Sequence, residues 1–197
     1  MNYYNTNGWA QGVGEGSWGG WEHSDMRAYL NGGTYQREHI DYSSNSFIST
    51  LPSDLRNVIV DTKVTSASAH AGSTETSVVT DKLYLLSATE LYGKNTPFEN
   101  LQYDLLSSST RQLDYYYAKG VIDAAGNYPP SLKTVLNPEN QQWSSYGDIL
   151  IEGIWGTRSV FSHPSYDSGF YNALNNGTIG WTYSSFLHGV SPAFRLG

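Results

Sequence analysis

Five histidines, His23, His39, His70, His163 and His188, are the residue type most suited to metal ligation or proton transfer near neutral pH. No two stand three or four residues apart, so no helix face or turn pairs them, and no metal is expected. Carboxylates could attack or protonate a glycoside, and the available pairs are Asp41 with Asp54 and Asp61 with Asp81. Spacing along the chain does not bring either pair together across a sugar. Asn137-Pro138-Glu139-Asn140 has calcium-ligand residue types without the alternating acids of a calcium loop, and it reads as a turn. Gly12, Gly14 and Gly16 alternate, but no strand precedes them and no helix follows, so they make no phosphate loop. There is no Gly-x-Ser-x-Gly elbow, and with no cysteine there is no thiolate, disulfide or cysteine-bound metal. Asn176-Gly177-Thr178 fits a glycosylation sequon, but a hairpin turn explains it. Neither catalysis nor a cofactor is expected.

The elements that would position these residues are short. Residues 1–17 are glycine-rich and pinned by Tyr3, Tyr4 and Trp9, which suggests an N-terminal arm before a single domain over 18–197. Ser24-Asp25 caps a helix with Met26, Tyr29 and Leu30 on one side, ended by Gly32-Gly33. A helical stretch from Ser46 to Leu51 stops at Pro52 and restarts over 53–57, before a strand over 58–64. Residues 66–80 read as a surface loop or edge hairpin, and 82–86 as a short apolar strand. Ser87-Ala88-Thr89-Glu90 has capping-box spacing, so a one-turn helix ending at Gly93 should follow. A helix over 110–120 would place Leu113, Tyr116 and Tyr117 on one side, and 121–148 looks like a long excursion. The last quarter reads as β structure, with strands near 149–155, 170–174, 178–183 and 190–196. Asn175-Asn176-Gly177 makes a hairpin signal between two of them. Helices first and an antiparallel sheet last imply an α+β fold.

Composition narrows the partners. The chain has 197 residues, a net charge of -7 and only 15% charged residues, with no basic cluster, so no nucleic acid is expected. No apolar run approaches the ~20 residues that span a bilayer, so no membrane insertion is expected, and Met1 to Gln11 does not read as a signal peptide. One regional anomaly stands out. Residues 1–152 hold five Lys, eight Glu, six Gln and two Met, a rate that predicts about six in residues 153–197, and that segment holds none. Buried strands are depleted in long polar side chains, which is the plainest explanation. The absent types are also those that an AAY asparagine codon cannot reach when its two adenines are randomised.

Five segments carry a resemblance. WEHSDMRAYLN (21–31), DKLYLLSATE (81–90), TRQLDYYYAKG (110–120), WGTRS (155–159) and GVSPAFRL (189–196) resemble, in that order, a domain family of gut bacteria and their phages. That family looks like the C-type lectin fold of the formylglycine-generating-enzyme type. The resemblance implies a C-type lectin-like fold, with short helices first and a small antiparallel sheet formed largely by the C-terminal part. The family's oxidation chemistry uses cysteines or a histidine triad, and its calcium-dependent sugar sites use Glu-Pro-Asn-type motifs; both are missing here.

The use that remains is that of a variable protein of a diversity-generating retroelement. This implies a non-enzymatic ligand- or receptor-binding protein at a phage tail-fibre tip, hence on the virion, or at a cell surface. Its partner would be a protein or glycan on a host or neighbouring cell, and a homo-oligomer is implied by analogy with trimeric fibre tips. The variable region would be 155–188. Trp155, Arg158, Pro192, Phe194 and Arg195 would then be scaffold. The ligand contacts would be Ser162, His163, Ser165, Tyr166, Asp167, Phe170, Tyr171, Asn172, Tyr183, Ser184, Ser185, Phe186 and His188, with Trp181 a fixed residue on their border. Phe170 and Tyr171 adjoin on a strand, so one of them is expected to face the core. The alternative is a bacterial carbohydrate-binding or adhesion module of fixed specificity.

Overall fold

Ser24 starts the first described helix, α1 (Asp25–Asn31), by accepting the Arg27 backbone N–H on its hydroxyl at 3.1 Å. Gly32 ends α1 in the left-handed region, at φ 82°, a conformation that favours glycine. The chain is described from a computed structural model, over residues 20–35, 40–67, 76–93, 112–118, 145–146, 149–150, 155–163, 166–174, 179–183 and 190–197. A small ribbon of β1 (Thr34–Tyr35) and β2 (Ile40–Asp41) follows α1. Pro52 separates α2 (Phe47–Thr50) from α3 (Ser53–Val58), as its missing N–H requires.

The single strand expected over 58–64 is instead two, β3 (Ile59–Val60) and β4 (Thr62–Ala67), with the break at Asp61. Each takes a different partner. β4 pairs in register with β5 (Thr76–Asp81), as the hairpin reading of 66–80 expects, and 68–75 lie outside the described residues. β6 is only Tyr84–Leu85, and α4 (Ala88–Tyr92) carries the expected capping box in full. There the Ser87 N–H donates to Glu90 Oε2 at 2.7 Å, and the Glu90 N–H donates to Ser87 Oγ at 3.0 Å.

The next described helix, α5 (Asp114–Ala118), starts after Gln112 and Leu113, later than expected, and 110–111 and 119–120 lie outside the described residues. Tyr116 packs on the core while Leu113 and Tyr117 stay exposed, so these three do not share one buried side. β7 (Ser145–Tyr146) pairs with β8 (Ile149–Leu150). Of the strand expected over 149–155, Ile149–Leu150 in β8 and Trp155 at the start of β9 are strand, and 151–154 lie outside the described residues.

The largest sheet is antiparallel, in the order β11-β10-β9, made of β9 (Trp155–His163), β10 (Tyr166–Ala173) and β11 (Ile179–Tyr183). Ala173 pairs with Ile179 across the predicted Asn-Asn-Gly hairpin, whose turn residues lie outside the described set. The strand expected over 190–196 is two, β12 (Pro192–Ala193) and β13 (Arg195–Leu196). β12 pairs with β6 and β13 with β3, so this tail clasps the N-terminal half rather than joining the sheet. The architecture is α+β, with short helices and small antiparallel sheets.

Two apolar clusters cover opposite faces of the β9–β10 wall. Trp155, Tyr171, Ala173 and Ile179 join Leu86, Leu91 and Tyr92 on one side. On the other, Val160 and Phe170 join Trp21, Met26, Leu30, Ile59 and Leu85. The register agrees with this: Phe170 stands opposite Val160, and Ala173 opposite Trp155. With both faces covered, polar and apolar residues do not alternate along these strands.

Candidate functional site

The WGTRS segment does not continue the ladder of β9. Phe170 faces Val160 and Asn172 faces Gly156, so Thr157, Arg158 and Ser159 stand opposite Tyr171 alone, as a bulge. Thr157 closes the bulge on its own sheet by donating its hydroxyl to the Tyr171 carbonyl at 2.8 Å. The other two residues turn to the chain around α4. The Arg158 N–H donates to the Leu86 carbonyl at 3.1 Å, and the Ala88 N–H donates to Ser159 Oγ at 2.8 Å. The bulge delivers the Arg158 guanidinium into the interior, where it donates to the Leu85 and Thr65 carbonyls at 2.8 and 3.3 Å and pairs with Glu90 at 2.5 Å. One carboxylate thus closes the α4 cap and neutralises the buried cation.

The other resembling segments converge on the same stretch, residues 81–92. Asp81 accepts the Trp21 indole N–H at 2.9 Å and the Arg27 Nε–H at 2.9 and 3.0 Å. Asn31 accepts the Lys82 and Leu83 backbone N–H groups and donates to the Leu83 carbonyl, acting as one more strand partner. Gln112 donates to the Leu91 carbonyl and the Leu113 N–H to the Glu90 carbonyl, while Pro192 and Ala193 pair with Leu85 and Tyr84. These motifs join the fold together. Asp81, read as half of a carboxylate pair with Asp61, is buried by its ties to α1, whereas Asp61 is exposed. Among the described residues no three of His, Asp and Glu form a metal-binding group.

The sequence-derived contact residues divide in two. Phe170, Tyr171 and Asn172 are 1%, 0% and 0% exposed, so all three are corrected from contacts to core. Over residues 170–173 β10 is covered on both faces, so a side chain there that faces away from one cluster enters the other. Trp181 stands opposite Tyr171 and packs half-buried on the rim of the Trp155 cluster, in keeping with a bordering role. The remaining described positions share the opposite end of the sheet. Phe161, Gly169 and Tyr183 form one row across β9, β10 and β11, and His163 and Tyr166 pair beyond it. Between those rows Asp167 and Ser168 stand opposite Ser162, a second bulge. Ser165, Ser184, Ser185, Phe186 and His188 lie outside the described residues.

A family model described as a domain of unknown function, DUF6273, matches residues 4–197. The chain belongs to the DUF6273 family. Neither the curated proteins nor the solved structures contain a match.

Among the described residues of this DUF6273 domain, Asp41, Tyr84 and Tyr116 depart from their usual titration range. The exposed Asp41 carboxyl is held below its usual range because it accepts the Ser43 N–H. Burial raises the Tyr84 phenol, with Glu90 adding to the effect. Burial also raises the Tyr116 phenol to about 12, assisted by Tyr115 and Glu90. The folded state therefore keeps the Tyr116 proton above pH 10, where the unfolded chain gives it up, and stability falls as pH rises past that point. Tyr116→Phe is expected to flatten this alkaline loss, as followed by denaturation midpoints between about pH 9 and 11. An unchanged slope would remove Tyr116 from the account.

Proposed function

We propose that this chain is a non-enzymatic binding protein whose ligand surface lies at the outer end of the β9–β10–β11 sheet, on a C-type lectin-like scaffold. The carrying observation is a division within one stretch of sequence. Residues 153–197 lack Lys, Glu, Gln and Met throughout. The buried side chains described in this stretch run from the Trp155–Ala173–Ile179 row to Val160 and Phe170, and the Phe161–Gly169–Tyr183 row and the His163–Tyr166 pair follow beyond them along the strands. Such a sheet can accept substitution at one end while the bulge and the two clusters hold the other. Tyr, His, Ser and Asp at that end offer contact area and adaptable hydrogen bonds for little lost entropy. The segment is nearly uncharged, with two Arg and one Asp, so shape and neutral hydrogen bonds would dominate recognition.

On this reading the residues at the sheet end are written by a diversity-generating retroelement. The protein is displayed at a phage tail-fibre tip or on a cell surface, and it meets a protein or glycan of another cell. Alanine at Ser162, His163, Tyr166, Asp167 and Tyr183 together is expected to lower binding to whole bacterial cells at least ~10-fold. The thermal midpoint should stay within a few degrees of the parent, because the Trp155, Val160, Phe170 and Tyr171 core residues are untouched. Binding unchanged by this substitution, or no binding by the parent across a broad strain panel, would contradict the proposal.

A further inference from the structure

We propose that the β3–β13 ribbon is a self-association surface that pairs two copies of this chain, separate from the ligand end of the large sheet. Val58, Val60, Phe194 and Leu196 are 42%, 37%, 40% and 64% exposed, half of the large apolar side chains left exposed among the described residues. All four lie on this ribbon or at its ends. Single exposed apolar residues are ordinary, whereas a cluster at one element marks a contact.

The register shows how the cluster is arranged. Arg195 pairs with Val60 and Leu196 with Ile59. Period-two alternation sets Val60 on the face of Arg195, and Phe194 and Leu196 on the face of Ile59, while Val58 ends α3 just before the ribbon. Only Ile59, 3% exposed, is fully buried in the core behind. Apolar side chains on both faces of a two-stranded ribbon are best covered by a second ribbon placed along its edge, which reaches both faces at once. Among the described residues no strand pairs with the outer edge of β13, which carries one Arg and neither Lys nor Pro. Gly197 finishes the strand with its N–H on the Val58 carbonyl, and it lies so close to Val60 that a Cβ would collide.

Charge favours a second copy as the occupant. Arg195 is exposed on the ribbon, and Asp61 and Asp54 are exposed at the two ends of the α3–β3 segment beside it. A surface carrying both signs around an apolar centre is complementary to itself. A two-fold axis can set Arg195 of one copy against an aspartate of the other, as in the closed isologous dimers that dominate soluble oligomers.

Sedimentation velocity on the whole chain, from about 1 to 100 μM, tests the proposal. The expected result is a reversible monomer–dimer equilibrium. Leu196→Asp should raise its dissociation constant at least ~10-fold while near-UV circular dichroism stays unchanged, since the side chain is exposed. Arg195→Asp should weaken the dimer as well, and adding Asp61→Arg should restore it in part. A parent that stays monomeric throughout, or a dimer indifferent to Leu196→Asp, would overturn the proposal. Neither outcome bears on the ligand surface, which uses other residues.

Discussion

Arg158→Met is expected to lower the unfolding free energy by about 3–5 kcal/mol, because it removes one partner of a buried ion pair. Methionine keeps the apolar stem but leaves the Glu90 carboxylate facing the interior without its cation. It also strips donors from the Leu85 and Thr65 carbonyls. A loss of this size takes a fifth or more of the roughly 5–15 kcal/mol that holds an ordinary domain together. Glu90→Gln should cost less, since an amide oxygen can still accept the Ser87 N–H of the capping box. Combining the two substitutions should cost less than their sum, with a coupling of about 1–3 kcal/mol read by equilibrium urea denaturation. A loss below about 1 kcal/mol for Arg158→Met would mean that the bulge is held by its backbone bonds alone.

Asp81→Ala is expected to cost about 2–4 kcal/mol, for a related reason at the opposite side of the same stretch. The substitution leaves the indole N–H of Trp21, a fully buried side chain, without its acceptor, and it releases Arg27 from both carboxylate oxygens. Asp81→Asn separates the two contributions. It keeps an oxygen for Trp21 and removes the charge, so its cost should be about half that of alanine. Equal costs for the two variants would assign the whole effect to the Arg27 ion pair.

Much of the local structure is legible in the sequence because its signals are local. The Ser24 cap, the Gly32 stop, the Ser87-to-Glu90 capping box and the Pro52 break each depend on residues within one turn, and each is present. What could not be read depends on distant partners. The bulge at 157–159 exists because Leu86, Ala88 and Glu90 lie beside it, far away in sequence. The tail over 190–196 looks like one strand, yet β6 and β3 each claim two of its residues. Phe194 and Arg195, expected as scaffold, are exposed on the ribbon instead.

The proposed ligand surface was legible only in part, for the same reason. Composition marked residues 153–197 as unusual, but it does not separate a variable position from a buried one. Phe170, Tyr171 and Asn172 have the residue types of a binding surface, and only the two clusters on either face of β10 reveal them as core. Ser162, His163, Tyr166, Asp167 and Tyr183 fall together because the hairpin register brings 161–167 beside 183, a relation that composition does not contain.

The measurement closest to the central claim is the nucleotide sequence of this gene's last portion across several isolates. Differences are expected to concentrate at the adenines of Asn-type codons, at positions 162, 163, 165–167, 183–186 and 188. Trp155, Arg158, Phe170, Tyr171, Asn172 and Trp181 should stay constant, because they are core, buried charge and border. Differences spread evenly along the gene, or falling as often on those six residues as on the sheet end, would contradict it.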